Sequence, residues 1–387
     1  MGCSCKIFLN QSRDEADIEK IKNTLINKPL EIVSQFSKIT DNENVPKLNS
    51  SNKTKNTVKD NLDKKLLEIG PFISLDEYNS FISQDIHNYI QQNKLNFERY
   101  ISRNITTLSA NPVKFKNNNI YCGNWNTNGQ MEGYGIYYLS NNNIIIEGIW
   151  NNGNIVFGRI FFKNGDIYEG EIKNSLPNGK GKMMFISNKE SYEGDFNMGD
   201  MTGQGTYIFS DNTEYSGSFE NGSFNGKGRI KWANGIEYIG EFADSALCGK
   251  GIITNIQKEK YDGFFDNNEF NGKGTYYYSN GDIYEGNFEY GIKRGKGIYR
   301  RNDNVIFEGI WNEDLPNGNG EITYLGNKLS GFWRNGVFVG YSDLAIFKDI
   351  NKNIKPEKIS IFPNSLSHLN INDSSVSQFT PGNLDFV

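Results

Sequence analysis

Tyr215-Ser-Gly-Ser-Phe219 returns as Tyr238-Ile-Gly-Glu-Phe242, Tyr261-Asp-Gly-Phe-Phe265 and Tyr284-Glu-Gly-Asn-Phe288, each copy starting 23 residues after the last. Upstream of this block the pattern reads Tyr121-Cys-Gly-Asn-Trp125, Ile146-Glu-Gly-Ile-Trp150, Tyr168-Glu-Gly-Glu-Ile172 and Tyr192-Glu-Gly-Asp-Phe196. Downstream it reads Phe307-Glu-Gly-Ile-Trp311 and Leu329-Ser-Gly-Phe-Trp333. The ten starts lie 22 to 25 residues apart, all ten hold Gly at the third place, and nine hold Trp or Phe at the fifth. A second signature follows most starts by eleven or twelve residues, for example Gly179-Lys-Gly181, Gly226-Lys-Gly228, Gly249-Lys-Gly251, Gly272-Lys-Gly274 and Gly295-Lys-Gly297. A period of this length marks a repeat architecture, in which one supersecondary unit recurs and buries its apolar face against its neighbours.

Side chains alternate along a strand, so Tyr215, Gly217 and Phe219 share a face. Gly at the third place leaves room for an aromatic ring from a neighbouring strand to lie over the backbone, and the Gly-x-Gly pair does the same on the return strand. Each repeat therefore reads as one antiparallel hairpin, with Asn164-Gly165, Asn234-Gly235 and Asn280-Gly281 marking turns. Two strands per repeat advance the array by roughly 10 Å, so ten repeats span on the order of 100 Å. The expected fold is mainly β: an elongated single-layer solenoid of about ten antiparallel hairpins, with a helical region before it and a short helix after it. One aromatic face on a single sheet is too large an apolar patch for water. Curling, a helix laid along it, self-association into a homodimer, or a protein partner would relieve it. The rings Tyr192, Phe196, Tyr215, Phe219, Tyr238, Phe242, Tyr261, Phe265, Tyr284, Phe288 and Trp311 are expected to line a trough that receives a helix or peptide.

The pattern Y-x-G-x-(W/F) followed by G-x-G at a 23-residue spacing resembles the MORN (membrane occupation and recognition nexus) repeat, over about 220 residues from Tyr121 to Gly340. The resemblance implies a scaffold that ties a protein partner to a membrane or to the cortical cytoskeleton, and no enzyme. Two alternatives stay open: a phosphoinositide-binding module, and the regulatory subunit of an enzyme carried by another chain.

Charge bears on these readings. Residues 1–120 hold 17 Lys/Arg and 14 Asp/Glu, whereas residues 121–340 hold 20 and 27, so the array is acidic. An acidic array argues against nucleic acid, whose phosphates need a net basic surface, and against direct attraction to anionic lipid. The second place is acidic in six repeats (Glu147, Glu169, Glu193, Asp262, Glu285, Glu308), and Lys stands in the middle of Gly-x-Gly in five (Lys180, Lys227, Lys250, Lys273, Lys296). These have the parity to meet across strands on a solvated face. Neither His87 nor His368 has a Cys or His neighbour at ligand spacing, so no metal and no cofactor is expected. Gly-Lys-Gly never continues into Lys-Ser/Thr and a helix, as a phosphate loop requires.

The ends add an anchor. Met1-Gly2-Cys3-Ser4-Cys5-Lys6 resembles a dual-acylation signal, with myristate on Gly2 and palmitate on Cys3 and Cys5, and with Lys6 where that signal prefers Ser or Thr. One acyl chain holds weakly and a second makes attachment lasting, which places the chain on the cytoplasmic face of a plasma or cortical membrane. The expected division is 1–13 acylated anchor, 14–118 helical region with a flexible basic linker (Lys47 to Lys65), 119–340 repeat array, and 341–387 short helix and flexible tail. Ser74 with Glu77 reads as a capping box opening a helix over 75–103, and a broken helix is expected over 14–39.

Overall fold

The computed structural model describes residues 52–95 and 107–341. Twenty-two strands make antiparallel sheet in two compact units that divide between Ser210 and Asp211. Among its described residues the first unit holds three helices, α1 (Asn52–Ile69), α2 (Leu75–Asn79) and α3 (Gln84–Gln92), then ten strands: β1 (Leu108–Ser109), β2 (Val113–Lys114), β3 (Ile120–Trp125), β4 (Met131–Leu139), β5 (Ile144–Asn151), β6 (Asn154–Phe161), β7 (Ile167–Lys173), β8 (Leu176–Phe185), β9 (Glu190–Asn197) and β10 (Asp200–Ile208). The second unit runs β11 (Glu214–Glu220), β12 (Ser223–Lys231), β13 (Glu237–Ala243), β14 (Ala246–Thr254), β15 (Lys260–Asp266), β16 (Glu269–Tyr277), β17 (Ile283–Glu289), β18 (Ile292–Arg300), β19 (Ile306–Asn312), β20 (Leu315–Tyr324), β21 (Asn327–Arg334) and β22 (Val337–Tyr341).

Every repeat start falls on the first strand of a hairpin and every Gly-x-Gly on the second. From β3 to β10, and again from β11 to β22, each strand pairs antiparallel with the next in sequence. Glycine faces glycine across the sheet, as Gly240, Gly251, Gly263, Gly274 and Gly286 do in succession.

Two kinds of connection alternate. Residues 126–130 join β3 to β4. Within the hairpins from β5–β6 onward the turn is two residues long, both at positive φ, as at Asn221–Gly222 (49° and 79°) and Asn267–Asn268 (48° and 70°). This is the turn whose twist matches that of the strands it joins. The Asn-Gly steps read from the sequence lie instead between hairpins. At Asn234-Gly235 the loop is closed by Trp232 N–H to Ile236 carbonyl and Gly235 N–H to Trp232 carbonyl, both 2.9 Å. Successive hairpins are also stitched at their turns: Asn268, Gly291 and Asp314 donate their N–H to the carbonyls of Leu247, Phe270 and Lys293 one repeat earlier. The same bond forms where repeats are longer or shorter, from Gly153 to Met131, Gly199 to Pro177 and Gly336 to Pro316.

The helical region departs from expectation in two ways. Ser74 does cap α2, accepting from Glu77 N–H at 3.0 Å, but Ser83 caps a second helix, so the expected 75–103 helix is broken at residues 80–83. The basic stretch expected as a flexible linker is the helix α1 from Asn52 onward, and it buries Leu62 and Leu66. The expected helices over 14–39 and after residue 341 lie outside the described residues.

Candidate functional site

The eleven rings expected to line an open trough are core residues, between 0% and 4% exposed. Tyr261 does not stand off its strand. It lies down along it, its hydroxyl donating to the Phe264 carbonyl three residues on at 2.9 Å, and Tyr192, Tyr215, Tyr238 and Tyr284 do the same with their own third neighbours. The ring thereby covers the third-place Gly263 of its own strand and Gly274 of its own return strand, where a Cβ would run into it. The ring over the glycine thus comes from the same hairpin and not, as the alternation suggested, from a neighbouring strand. Hairpins interlock through the fifth place: Phe265 sits edge-on 5.2 Å from Tyr261 and 5.0 Å from Tyr238 of the preceding repeat. Phe242, Phe288 and Trp311 repeat the arrangement. Edge-to-face packing at these distances is the favoured geometry for aromatic pairs. No partner can touch these rings without opening the core, which corrects the reading of them as a contact surface.

The two glycines of Gly-x-Gly have different tasks. Gly272 sits at φ 84° in a β-bulge, with no atom nearer its missing Cβ than Phe264 Cβ at 3.6 Å. Gly274 has ordinary backbone and gives up its side chain for the Tyr261 ring. The bulge also resets the cross-strand register. Because glycine pairs with glycine in antiparallel strands, the second-place acid and the lysine of Gly-x-Gly fall on opposite sides of that pair and do not meet as the sequence suggested they would. Glu169 faces Lys182, and Lys180 faces Asp195 with Nζ 2.7 Å from Oδ1.

With the ring face closed, contact surface falls to the opposite, outer face. In the first unit this face is occupied. Ile120, Tyr138, Ile145, Phe161, Ile167 and Met184 follow one another across β3 to β8 as an unbroken apolar row. Ile73, Tyr78 and Ile82 are buried against it, with Ile86, Tyr89 and Ile90 of α3 packed beside them. Phe81 lies 5.6 Å from Tyr138, and Tyr89 5.8 Å from Phe161. Sequence reasoning missed this docking site, although a signal was present: Ile precedes three successive starts, Tyr121, Ile146 and Tyr168, before Ser191, Glu214, Glu237 and Lys260 take that place and Ile returns at Ile283 and Ile306.

Under the helices the second-place row carries charge. Arg159 reaches Glu169 (Nε to Oε2, 2.8 Å) and Glu147 (Nη1 to Oε2, 3.4 Å) and lies 5.5 Å from the Tyr89 ring centroid, while Tyr134 donates to Glu147 at 2.9 Å. Glu147 and Arg159 are each 2% exposed, so the solvated face expected from the sequence here holds a buried ion pair, with half-buried Glu169 at its edge. Burial raises the Glu147 carboxyl above its ordinary value in spite of Arg159 and its hydrogen bonds.

One repeat departs from the apolar rule at the position opposite the fifth-place ring. Phe224 and Phe270 stack there on Tyr215 and Tyr261, with centroids 3.7 and 3.8 Å apart, but the eighth repeat places Lys293 opposite Phe288. Its Nζ is 5.2 Å from the centroids of Tyr278 and Tyr284 and 5.4 Å from that of Trp311. Burial lowers this ammonium to about 8, against a smaller opposing pull from Asp314.

Gly2, Cys3 and Cys5 lie outside the described residues. Among the described residues no group of three or more His, Cys, Asp or Glu is placed to hold a metal ion, and no helix is long and apolar enough to cross a membrane.

A sheet built of glycine-stacked hairpins at a fixed period defines a repeat protein of the solenoid class. The chain carries MORN repeats: residues 121–144, 168–188, 192–214, 215–237, 238–254, 261–283, 284–305 and 307–324 match the MORN repeat family model. Hairpins β5–β6 and β21–β22 supply the two further copies read from the sequence. The MORN repeat-containing protein 3 of Xenopus laevis is 43% identical over 53 residues, which is 14% of this chain and 22% of that relative. Among solved structures, the SAS-4 TCP domain of Drosophila melanogaster, in complex with a proline-rich motif of Ana2, aligns with 49% of this chain and 99% of its own at 13% identity and TM-score 0.28. Virginiamycin B lyase of Staphylococcus aureus aligns with 59% and 73% at 10% identity and TM-score 0.12.

Proposed function

We propose that this chain is a membrane-tethered scaffold: Gly2, Cys3 and Cys5 carry the acyl chains that hold it to a cytosol-facing membrane, and the repeat array presents its outer face to a protein partner of the membrane or cortical cytoskeleton. The observation that carries this reading is internal to the chain. The segment from Ile73 to Ile90 lies on the outer face of the first hairpins as an apolar ligand would, so sheet of this kind accepts a helix there without disturbing the ring-filled core. The acidic balance of the array supports a division of labour in which acyl chains, and not the repeats, meet the lipid.

Metabolic labelling with an alkyne analogue of myristate, paired with membrane fractionation, tests the tether. The scaffold reading expects label on the wild type, none on Gly2→Ala, and release of Cys3→Ser/Cys5→Ser from membranes in proportion to the lost palmitate. Full membrane retention of Gly2→Ala would remove the anchor from the account. Flotation of the unacylated array with phosphoinositide vesicles would favour the lipid-binding alternative instead.

A further inference from the structure

From β14 to β21 of the second unit the outer face is uncovered among the described residues and its charges are sorted into rows, whereas earlier in the unit Lys227 faces Glu241. Strand pairing places Lys250 opposite Phe264, Lys273 opposite Asn287, Lys296 opposite Ile310 and Asn319 opposite Phe332. From Lys250 to Phe332 this row contains three exposed lysines, 50%-exposed Phe264 and 41%-exposed Phe332, and no carboxylate. The first unit differs at the equivalent place, where Lys180 is neutralised by Asp195. Two residues along each strand runs a second row, in which Asp262, Thr275, Glu285, Ile298, Glu308 and Glu321 follow one another. Three of these acids have basic partners of their own: Asp262 has Lys260, Glu285 has Arg300 and Glu321 has Lys328. Among the described residues none of them bridges to the lysine row.

The spacing of the lysines selects a shape. Lys250, Lys273 and Lys296 stand on alternate strands, hence roughly 9.6 Å apart. Seven residues of α-helix rise about 10.5 Å. A helix laid across the strands thus meets a lysine at every seventh residue, and the mismatch of about 1 Å per repeat stays tolerable over three. The residues three or four positions on fall against Phe264 after the first contact, Asn287 after the second and Ile310 after the third. The other flank of the helix lies over Asp262, Glu285 and Glu308. An extended peptide running the same way rises about 3.3 Å per residue and offers alternate side chains to the sheet, so it matches the period far less well.

We infer that the outer face of the second unit docks an amphipathic helix of a partner protein that carries carboxylates at seven-residue spacing on one flank, Lys or Arg on the other, and aliphatic or aromatic side chains between. This rests on the scaffold reading above and names the partner's chemistry.

The test uses the full chain and a designed helical peptide of about 18 residues with Glu at positions 1, 8 and 15, Leu between them and Lys on the far flank. The wild type is expected to bind it, Lys250→Glu/Lys273→Glu/Lys296→Glu to lose about tenfold or more in affinity, and a peptide with Lys at positions 1, 8 and 15 to restore binding to that variant. All three lysines are exposed, so circular dichroism and Tm of the triple variant should match the wild type. Absent wild-type binding, or equal affinity in the variant, overturns the inference, as does lysine-dependent binding to phosphatidylserine vesicles with none to the peptide. Proximity labelling in cells separates this failure from that of the scaffold reading: neighbours captured equally by wild type and triple variant overturn the docking face while leaving a scaffold, whereas capture of no neighbour by either removes both.

Discussion

The ring of Tyr261 lies against Gly274, the residue that faces Gly263 across the same hairpin. The contact is made within one repeat, so each hairpin prepares its own aromatic slab before it meets a neighbour, and Phe265 then joins one slab to the next. Gly272, two residues earlier, answers a backbone need. Gly272→Asn should therefore be mild, about 1 kcal/mol, since Asn tolerates the left-handed region better than other residues. Gly274→Asn should be severe, beyond the roughly 1–3 kcal/mol of ordinary overpacking, because a ring fixed by two glycines has nowhere to move. Urea denaturation of the two variants measures the difference, and equal losses would mean that the two glycines share one task.

Lys293 marks a weak point in an otherwise apolar register. Its ammonium, lowered to about 8 by burial, is charged in both folded and unfolded chains below that pH, so the penalty is fully present there. As pH rises from 8 toward the ordinary lysine value of about 10.4, the folded state gives up its proton first and the penalty disappears. Lys293→Met should consequently stabilise the second unit at pH 7 by up to roughly 3 kcal/mol, less whatever the three surrounding rings return to the cation. The gap between variant and wild type should narrow to under about 1 kcal/mol by pH 10. Thermal melts across that range check the sign, and a gap that widens with pH would contradict it.

Arg159 holds the helices to the sheet through charge as well as packing. Arg159→Ala leaves Glu147 buried without its cation and should destabilise the first unit by about 3–5 kcal/mol. The Glu147 carboxyl, already raised, moves higher in the variant. Between the unfolded value and that raised value the folded state binds the extra proton, so stability falls as pH rises. The defect should be smaller at pH 5 than at pH 7, which denaturation at the two pH values would show.

The sequence revealed the hairpins because its signal was periodic: ten glycines at the third place and nine rings at the fifth leave little choice of register. It misassigned the ring over glycine because period-two alternation states which face a side chain takes, not whether Tyr261 stands up or lies along its strand; the hydroxyl bond to the Phe264 carbonyl decides that. The same omission turned a closed core into a trough. The pairing of Gly263 with Gly274 put Asp262 and Lys273 on opposite sides of the pair, and alternation along one strand does not state the register between two. The outer apolar row from Ile120 to Met184 was legible but was overshadowed by the stronger repeat pattern on the other face.

Everything about where a partner can bind depends on which face is closed, and two adjacent residues report it. Phe264 is 50% exposed on the outer face and Phe265 is 3% exposed within the ring layer. In a chain with Cys3, Cys5, Cys122 and Cys248 replaced by serine, the native-state rate of thiol labelling should be near that of a free thiol for Phe264→Cys. For Phe265→Cys, measured where circular dichroism confirms the fold, it should be slower by orders of magnitude. Comparable rates at the two positions would contradict the account.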